Sequence, residues 1–350
     1  MIVSTFMEPK NYLLFLTKPY SVAVLEPVAK AISEMRAGHV KWFAAGAASK
    51  STIPGEQLFS TKEVLAYNPD AVIVPGNIVP DFWPGLKVQI FHGLGEEKKG
   101  HYRITGFFDL YCTPGPFMTD KFQELAEKKK TFIVRETGWS KLDKMDGHMD
   151  KTRAKQNLNL DPNRPVLLYS PTFSPKYSSA PYLFEEIKKL NKYNDQWIIK
   201  FHDLQDRNVK NTYSQLNSNN IHISVSDDIL PLMQASDLLI TDTSSVAYEY
   251  LLLDRPIITF RAVVRKDKGI DITSTSELHG AIVRSMNDPK EFAENRKYYL
   301  NELHPYQDGK SSERVLAAIH EILENHAHSN LSPKPKNWFR KRQIRKVISG

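Results

Sequence analysis

The chain has 350 residues, 41% hydrophobic and 25% charged, which is ordinary for a globular protein and long enough to predict two domains rather than one core. Its single cysteine, Cys112, excludes an intramolecular disulfide and a cysteine-built zinc site, and fits a reducing compartment. The net charge of +7 matches the seven cations after Leu331 (Lys334, Lys336, Arg340, Lys341, Arg342, Arg345 and Lys346), so 7 − 7 leaves residues 1–330 neutral and argues against a basic nucleic-acid groove.

At the N-terminus Lys18 and Pro19 interrupt the apolar run. No signal-peptide order or spanning helix is read there, and a cytoplasmic protein is expected. Apolar runs at 12–17, 40–44, 71–76, 88–93, 110–115 and 131–138 read as buried strands, with a helix from 21 to about Gly38. Polar residues with Asp161-Pro162 and Pro165 break the pattern over 147–165 and predict a domain boundary. Strands resume at 165–171, 196–202, 221–226, 237–242 and 256–260. Helices are expected at 181–193, 228–235, 244–253, 289–301 and from Ser311, followed by the basic tail. The predicted fold class is α/β, with two Rossmann-like domains whose parallel sheets face a central cleft. In such sheets ligands gather at strand carboxyl ends, where the notable polar residues fall.

In "DLLITDTSSVAYEYLLLDRP" a strand ends at Asp242, and Thr243, Ser244 and Ser245 open a helix. Such hydroxyls and free amides either hold a diphosphate or simply cap the helix. His202, in "KFHDL", contacts a phosphate or leaving group, or is structural. Ser170 and Thr172, in "YSPTF", are neutral donors in reach of phosphate or nucleotide. His92, in "IFHGLGEEKKG", titrates near neutrality and can take a proton from a hydroxyl nucleophile. Gly93 and Gly95 let a ligand approach the backbone or permit turn dihedrals, and Lys98 and Lys99 attract an anionic acceptor or form a solvated turn. In "HPYQDGKSSERV", Lys310 and Arg314 reach phosphates, or else the segment is a capped surface helix starting near Ser311 or Ser312. No G-x-G-x-x-G, Walker A, H-E-x-x-H, G-x-S-x-G or D-x-D motif is present, so no cofactor and no metal ligand is assigned and a metal-independent transfer is expected.

"FHGLGEEKKG", "FDLYCTPGP", "ETGWSKLD", "LLYSPTF", "KFHD", "DLLITDTSSVAYEYLLLDRPII" and "PYQDGKSSERV" occur in the order found in the CDP-glycerol glycerophosphotransferases of teichoic-acid and capsule synthesis, which the chain resembles over about residues 20–315. The resemblance implies a GT-B architecture with His92 as general base and His202 at the diphosphate or leaving group. It also implies that Thr243, Ser244 and Ser245 bind the donor diphosphate, completed by Lys310, Ser312 and Arg314. Two departures bear on the substrate: Leu94 and Gly95 replace the family's usual H-G-T-P turn, and Asp203 replaces the proline after its second histidine.

The expected organisation is an acceptor-side domain at 1–155, a nucleotide-donor domain at 160–315, and a C-terminal helix and basic tail at 316–350. The expected activity moves an alditol phosphate, foremost glycerol phosphate, from a CDP-alditol to a hydroxyl of a surface glycan or teichoic-acid-like polymer, a lipid-linked acceptor included, and releases CMP. The alternatives are a GT-B glycosyltransferase using a nucleotide sugar and a catalytically idle scaffold. Trp338, Phe339, Ile344 and Val347 among the tail's cations fit an anionic membrane surface through 334–346. The competing readings are a solvated tail or a helix packed back on the first domain.

Overall fold

Short apolar runs pair in parallel to form two six-stranded sheets, one in each of the two units into which the chain divides. The computed structural model describes residues 8–94, 102, 104–145, 150–226 and 228–349. One unit takes residues up to 147 together with 301–350, and the other takes 148–300.

The first unit runs β1 (Lys10–Leu16), α1 (Ser21–Glu34), β2 (Gly38–Ala44), α2 (Thr61–Tyr67), β3 (Ala71–Val74), β4 (Leu86–Gln89), β5 (Leu110–Thr113), α3 (Pro116–Lys129) and β6 (Ile133–Glu136). Its sheet order is β2-β1-β3-β4-β5-β6. Tyr12 to Leu16 and Ala71 to Val74 are buried without alternation, because helices and loops cover both faces of a parallel sheet. The second unit runs α4 (Lys151–Asn157), β7 (Val166–Tyr169), α5 (Ala180–Leu190), β8 (Gln196–Lys200), α6 (Arg207–Ser214), β9 (Ile221–Ser224), α7 (Leu230–Ala235), β10 (Leu238–Thr241), α8 (Val246–Tyr250), β11 (Ile257–Phe260), β12 (Ile270–Ile272), α9 (Leu278–Asn287) and most of α10 (Ala293–Leu303). Its order is β12-β11-β10-β7-β8-β9.

The chain then returns to the first unit with α11 (Ser311–Glu324) and α12 (Trp338–Ser349). Residues 301–315, expected in the donor domain, therefore pack with the first unit. The reason is a set of bonds invisible in the sequence: Tyr306 Oη donates to Glu136 (2.8 Å), and the Ser311 and Ser312 amides donate to Asp143 (2.8 and 2.7 Å). Further along α11, the buried Tyr12 hydroxyl meets His320 Nε2 at 2.6 Å. The other break moves as well. Residues 148–155 belong to the second unit, where Lys155 on α4 is buried against Asp237 at 2.8 Å.

The basic C-terminal segment is no solvated tail. α12 lies along the first unit with Ile344 only 1% exposed in its apolar core, and Val347 and Ile348 packed at the rim. Lys341 pairs with Asp81 (2.6 Å) and Lys334 with Asp109 (2.9 Å). Ile344→Ala should cost about 2–5 kcal/mol by cavity formation, read as a lowered urea midpoint. An unchanged midpoint would mean that α12 is undocked in solution.

Candidate functional site

In the first sheet β1 pairs with β2 on one side and β3 on the other, so the strand order reverses at the carboxyl ends of β1 and β3, the point at which open α/β sheets bind ligands. His92 follows β4, yet its side chain reaches this reversal. Its Nδ1 lies 3.2 Å from the Pro75 carbonyl just beyond β3, and its ring is 5.8 Å from that of Tyr20, which leads into α1. A carbonyl only accepts, so Nδ1 must donate, and the neutral ring then carries its lone pair on Nε2. The half-buried imidazole is aimed by the residue before it. Phe91 adopts a left-handed backbone (φ 56°), which costs a non-glycine residue roughly 1–2 kcal/mol. Its buried ring packs edge-on against Phe122 and its carbonyl accepts from Trp139 Nε1 at 3.1 Å, so the strain is held in place.

Gly93 is not in the left-handed region, so the turn-dihedral explanation for it falls away. A Cβ there would meet nothing within 4 Å among the described residues, which leaves close approach as the use of this glycine. Gly95, Lys98 and Lys99 lie outside the described residues.

The second sheet reverses at β7, which pairs with β8 and β10. The two carboxyl turns at this point are Ser170–Phe173 and Asp242–Ser245, and one buried carboxylate joins them. Asp242 Oδ1 accepts from the Thr172 amide (2.8 Å), and Oδ2 accepts from the amide and hydroxyl of Ser179 (both 2.7 Å). Thr241 Oγ1 donates to the Ser170 carbonyl at 2.6 Å, and Thr243 Oγ1 accepts from the Val263 amide at 3.2 Å. Burial pushes the Asp242 carboxyl up to about 6 despite these bonds.

The expected helix over 244–253 is shorter. The Ser244 amide turns back onto the Asp242 carbonyl (2.9 Å), α8 spans only Val246–Tyr250, and a tighter turn follows over Leu251–Leu253. The Ser245 side chain makes no capping bond, so the simple capping role for that residue is not realised. Thr243, Ser244 and Ser245 are half-exposed, whereas Ser170 and Thr172 are buried to 6%.

His202, beyond β8, packs at a tilt of 38° against Phe173, the residue after Thr172, with ring centres 4.5 Å apart. Its Nδ1 accepts from the Leu204 amide at 3.1 Å, so in the neutral ring the proton sits on exposed Nε2. The two histidines thus hold opposite tautomers: Nε2 of His92 accepts, and Nε2 of His202 donates.

Lys310, Ser312 and Arg314 stand in the unit that carries His92, not in the one that carries Ser244. The expected serine cap of their helix is supplied instead by Asp143, whose carboxylate occupies the Ser311 and Ser312 amides. Arg314 pairs with Asp308 and covers the Tyr306 ring at 4.2 Å, and the Lys310 amide donates to Asp308 at 3.2 Å. Among the described residues Arg314 Nη1 is buried without a hydrogen-bond partner and so retains binding capacity.

Residues 89–321, more than half of the chain, match the model of the CDP-glycerol:poly(glycerophosphate) glycerophosphotransferases. The chain belongs to this family. Residues of the chain are 27% identical over 175 positions to a teichoic acid poly(glycerol phosphate) polymerase of Bacillus spizizenii, covering 47% of the chain and 43% of that protein. They are 24% identical over 264 positions to the teichoic acid glycerol-phosphate primase of Bacillus subtilis, covering 67% and 68%. The chain thus spans less than half the length of the first relative. The solved wall teichoic acid polymerase TagF superposes with a TM-score of 0.70 at 17% identity, covering 91% of this chain and 90% of that one, and so shares the fold.

Within this glycerophosphotransferase-family chain, sequence reasoning missed Asp242 as the clasp between the two turns, Asp143 as the helix cap, and Pro75 and Tyr20 as the setting of His92. Asp143 did lie in a quoted motif, "ETGWSKLD", and a lone acid after a serine was the available signal.

Asp242 also sets a pH test. Its unfolded carboxyl titrates near 3.8 and its folded one near 6, so the folded state takes up the proton first as pH falls. Asp242 therefore costs stability above pH 6 and returns it between 6 and 4. Relative to Asp242→Asn, which cannot titrate, the parent should gain roughly 2 kcal/mol of unfolding free energy between pH 7 and pH 4. A difference that stays constant with pH would contradict this burial.

Proposed function

We propose that the protein transfers an alditol phosphate, foremost glycerol phosphate, from a CDP-alditol to a hydroxyl of a teichoic-acid-like polymer or surface glycan. The observation that carries the reading is a histidine Nδ1 on a backbone carbonyl at the first reversal and another on a backbone amide after β8, in a chain of the glycerophosphotransferase family. Nε2 of His92 removes the acceptor proton as the acceptor oxygen bonds to the β-phosphorus. The bond from that phosphorus to the bridging oxygen breaks, and CMP departs with that oxygen. Nε2–H of His202 donates to the diphosphate or to the leaving group. The product is a phosphodiester between acceptor and alditol.

Donor binding is assigned to the turns that Asp242 clasps. Ser170 and Thr172 lie on one, and Thr243, Ser244 and Ser245 supply hydroxyls and amides on the other. α8 is short, so these local groups rather than a helix dipole carry the attraction. Lys310, Ser312 and Arg314 are assigned to the donor anion on the sequence resemblance, and an Arg314 Nη1 without a partner among the described residues supports that. On the acceptor side Gly93 leaves room beside His92, and Gly95, Lys98 and Lys99 are assigned from sequence alone.

Lipid-linked acceptors and an anionic membrane face belong to the same reading. Trp338 and Phe339 are 73% and 87% exposed at the start of α12, beside exposed Arg342, Arg345 and Lys346. No helix among the described residues is long and apolar enough to cross a membrane.

Purified protein offered CDP-glycerol, CDP-ribitol and a UDP-sugar, with mass spectrometry of products, should release CMP from a CDP-alditol. Release from the UDP-sugar alone would reject the reading. His92→Ala should lower kcat about 10²–10⁴-fold with donor affinity unchanged, and unchanged turnover would remove His92 from the chemistry. Trp338→Ala with Phe339→Ala should weaken sedimentation with anionic vesicles while CMP release from a soluble acceptor persists. Equal vesicle binding would refute the membrane contact.

A further inference from the structure

The imidazole of His92 rests on the Pro75 carbonyl, and the loop after β3 that carries this carbonyl has no regular structure of its own. What holds it comes from two directions. From β4, the buried Gln89 side chain donates to Asn77 Oδ1 at 3.0 Å, two residues beyond Pro75. From α12, Arg340 Nη2 donates to the Asn77 carbonyl at 2.7 Å. The helix continues along the same β3–β4 connection, with Lys341 on Asp81 (2.6 Å) and the Arg345 guanidinium over the Phe82 ring (5.7 Å).

The residues leading into α12 also hold the segment at 104–106. Asn337 Nδ2 donates to the Thr105 carbonyl at 3.3 Å, and a Cβ on Gly106 would strike the Pro335 ring at 2.3 Å. Asn337 lies just before the helix with a left-handed backbone (φ 30°), and Arg340 lies in its first turn. The start of the helix and the residues leading into it therefore hold both the loop under the imidazole and the segment at 104–106.

We propose that α12 is a positioning element of the acceptor half-site, with Arg340 fixing the 75–77 loop so that His92 keeps its Nδ1–H on Pro75 and its Nε2 lone pair toward the acceptor. This goes beyond the docking seen in the fold. The proposal rests on His92 acting as the base of the transfer, and its physical content, the imidazole's tautomer, can be read without turnover. Arg340 touches no reacting atom in this account and acts through the loop. A guanidinium is suited to the task because its charge-assisted bond to a carbonyl is short and its planar fork is rigid. A lysine there keeps a cationic donor but has a shorter reach and loses the planar fork.

The test compares Arg340→Ala and Arg340→Lys with the parent. Arg340→Ala should lower kcat about ten- to hundredfold, the scale of an ångström-level misplacement. Its KM for the CDP-alditol should stay within about twofold, because the change lies in the other unit from the donor turns. Arg340→Lys should recover most of the loss. Nitrogen-15 imidazole shifts, assigned through His92→Gln, should report the Nδ1–H tautomer in the parent and a tautomer mixture in Arg340→Ala.

If Arg340→Ala keeps parental kcat and parental imidazole shifts, the proposal is wrong. A loss that Arg340→Lys does not recover, or one with unaltered His92 shifts, also overturns it. A parent that releases no CMP from any donor would instead sink the transfer reading, and the imidazole comparison would still decide the role of Arg340.

Discussion

A parallel sheet that reverses its strand order leaves one place where two neighbouring strands send their chains away on opposite sides, and backbone polar groups there have no ladder to join. Each unit of this protein uses that place in the same way. In the first, the β1–β3 reversal receives an imidazole from β4, and in the second, the β7–β10 reversal receives a row of hydroxyls and amides clasped by Asp242. The rest of the architecture serves to keep those turns from moving. Phe91 is held in a left-handed conformation by aromatic packing and an indole bond, and Asp242 is buried at the cost of a raised pKa. Both are local penalties that the surrounding core is large enough to impose.

Protonation follows from the same constraint. A histidine in solution exchanges its proton between two nitrogens, but a backbone partner on Nδ1 fixes where the proton lies. Pro75 offers a carbonyl and Leu204 offers an amide, so one ring presents a lone pair and the other a proton. In the proposed transfer, a base and a hydrogen-bond donor are thereby made from the same residue type. This economy explains why each turn must be rigid: a peptide that swung away would release the tautomer with it.

The buried strands were legible because runs such as "YLLFL" and "AVIV" are apolar without alternation, which only a sheet covered on both faces demands. Their ends were less so. The expected strand at 71–76 stops at Val74, and Pro75 and Gly76, apolar enough to prolong the run, form the loop that receives His92. β12 escaped notice because "IDI" is three residues with an acid in the middle. α12 was read only as one alternative for the tail, a helix packed back on the first domain, because cations dominate its composition and Ile344 alone is fully buried among its described side chains. The candidate chemistry was visible as residue types at strand ends, whereas its supports were not. Asp143 lies 168 residues from the Ser311 amide it caps, and Asp242 lies 70 from the Thr172 amide it holds. Such partners are set by topology, and spacing along one sequence carries no trace of them.

Amide hydrogen exchange on the full chain, with and without saturating CDP-glycerol, tests the central claim most directly, since it reads which backbone groups the donor covers. The account predicts slowed exchange concentrated at residues 170–174 and 243–248, the two turns joined by Asp242. Binding that leaves both turns exchanging as before, with protection elsewhere, would contradict it.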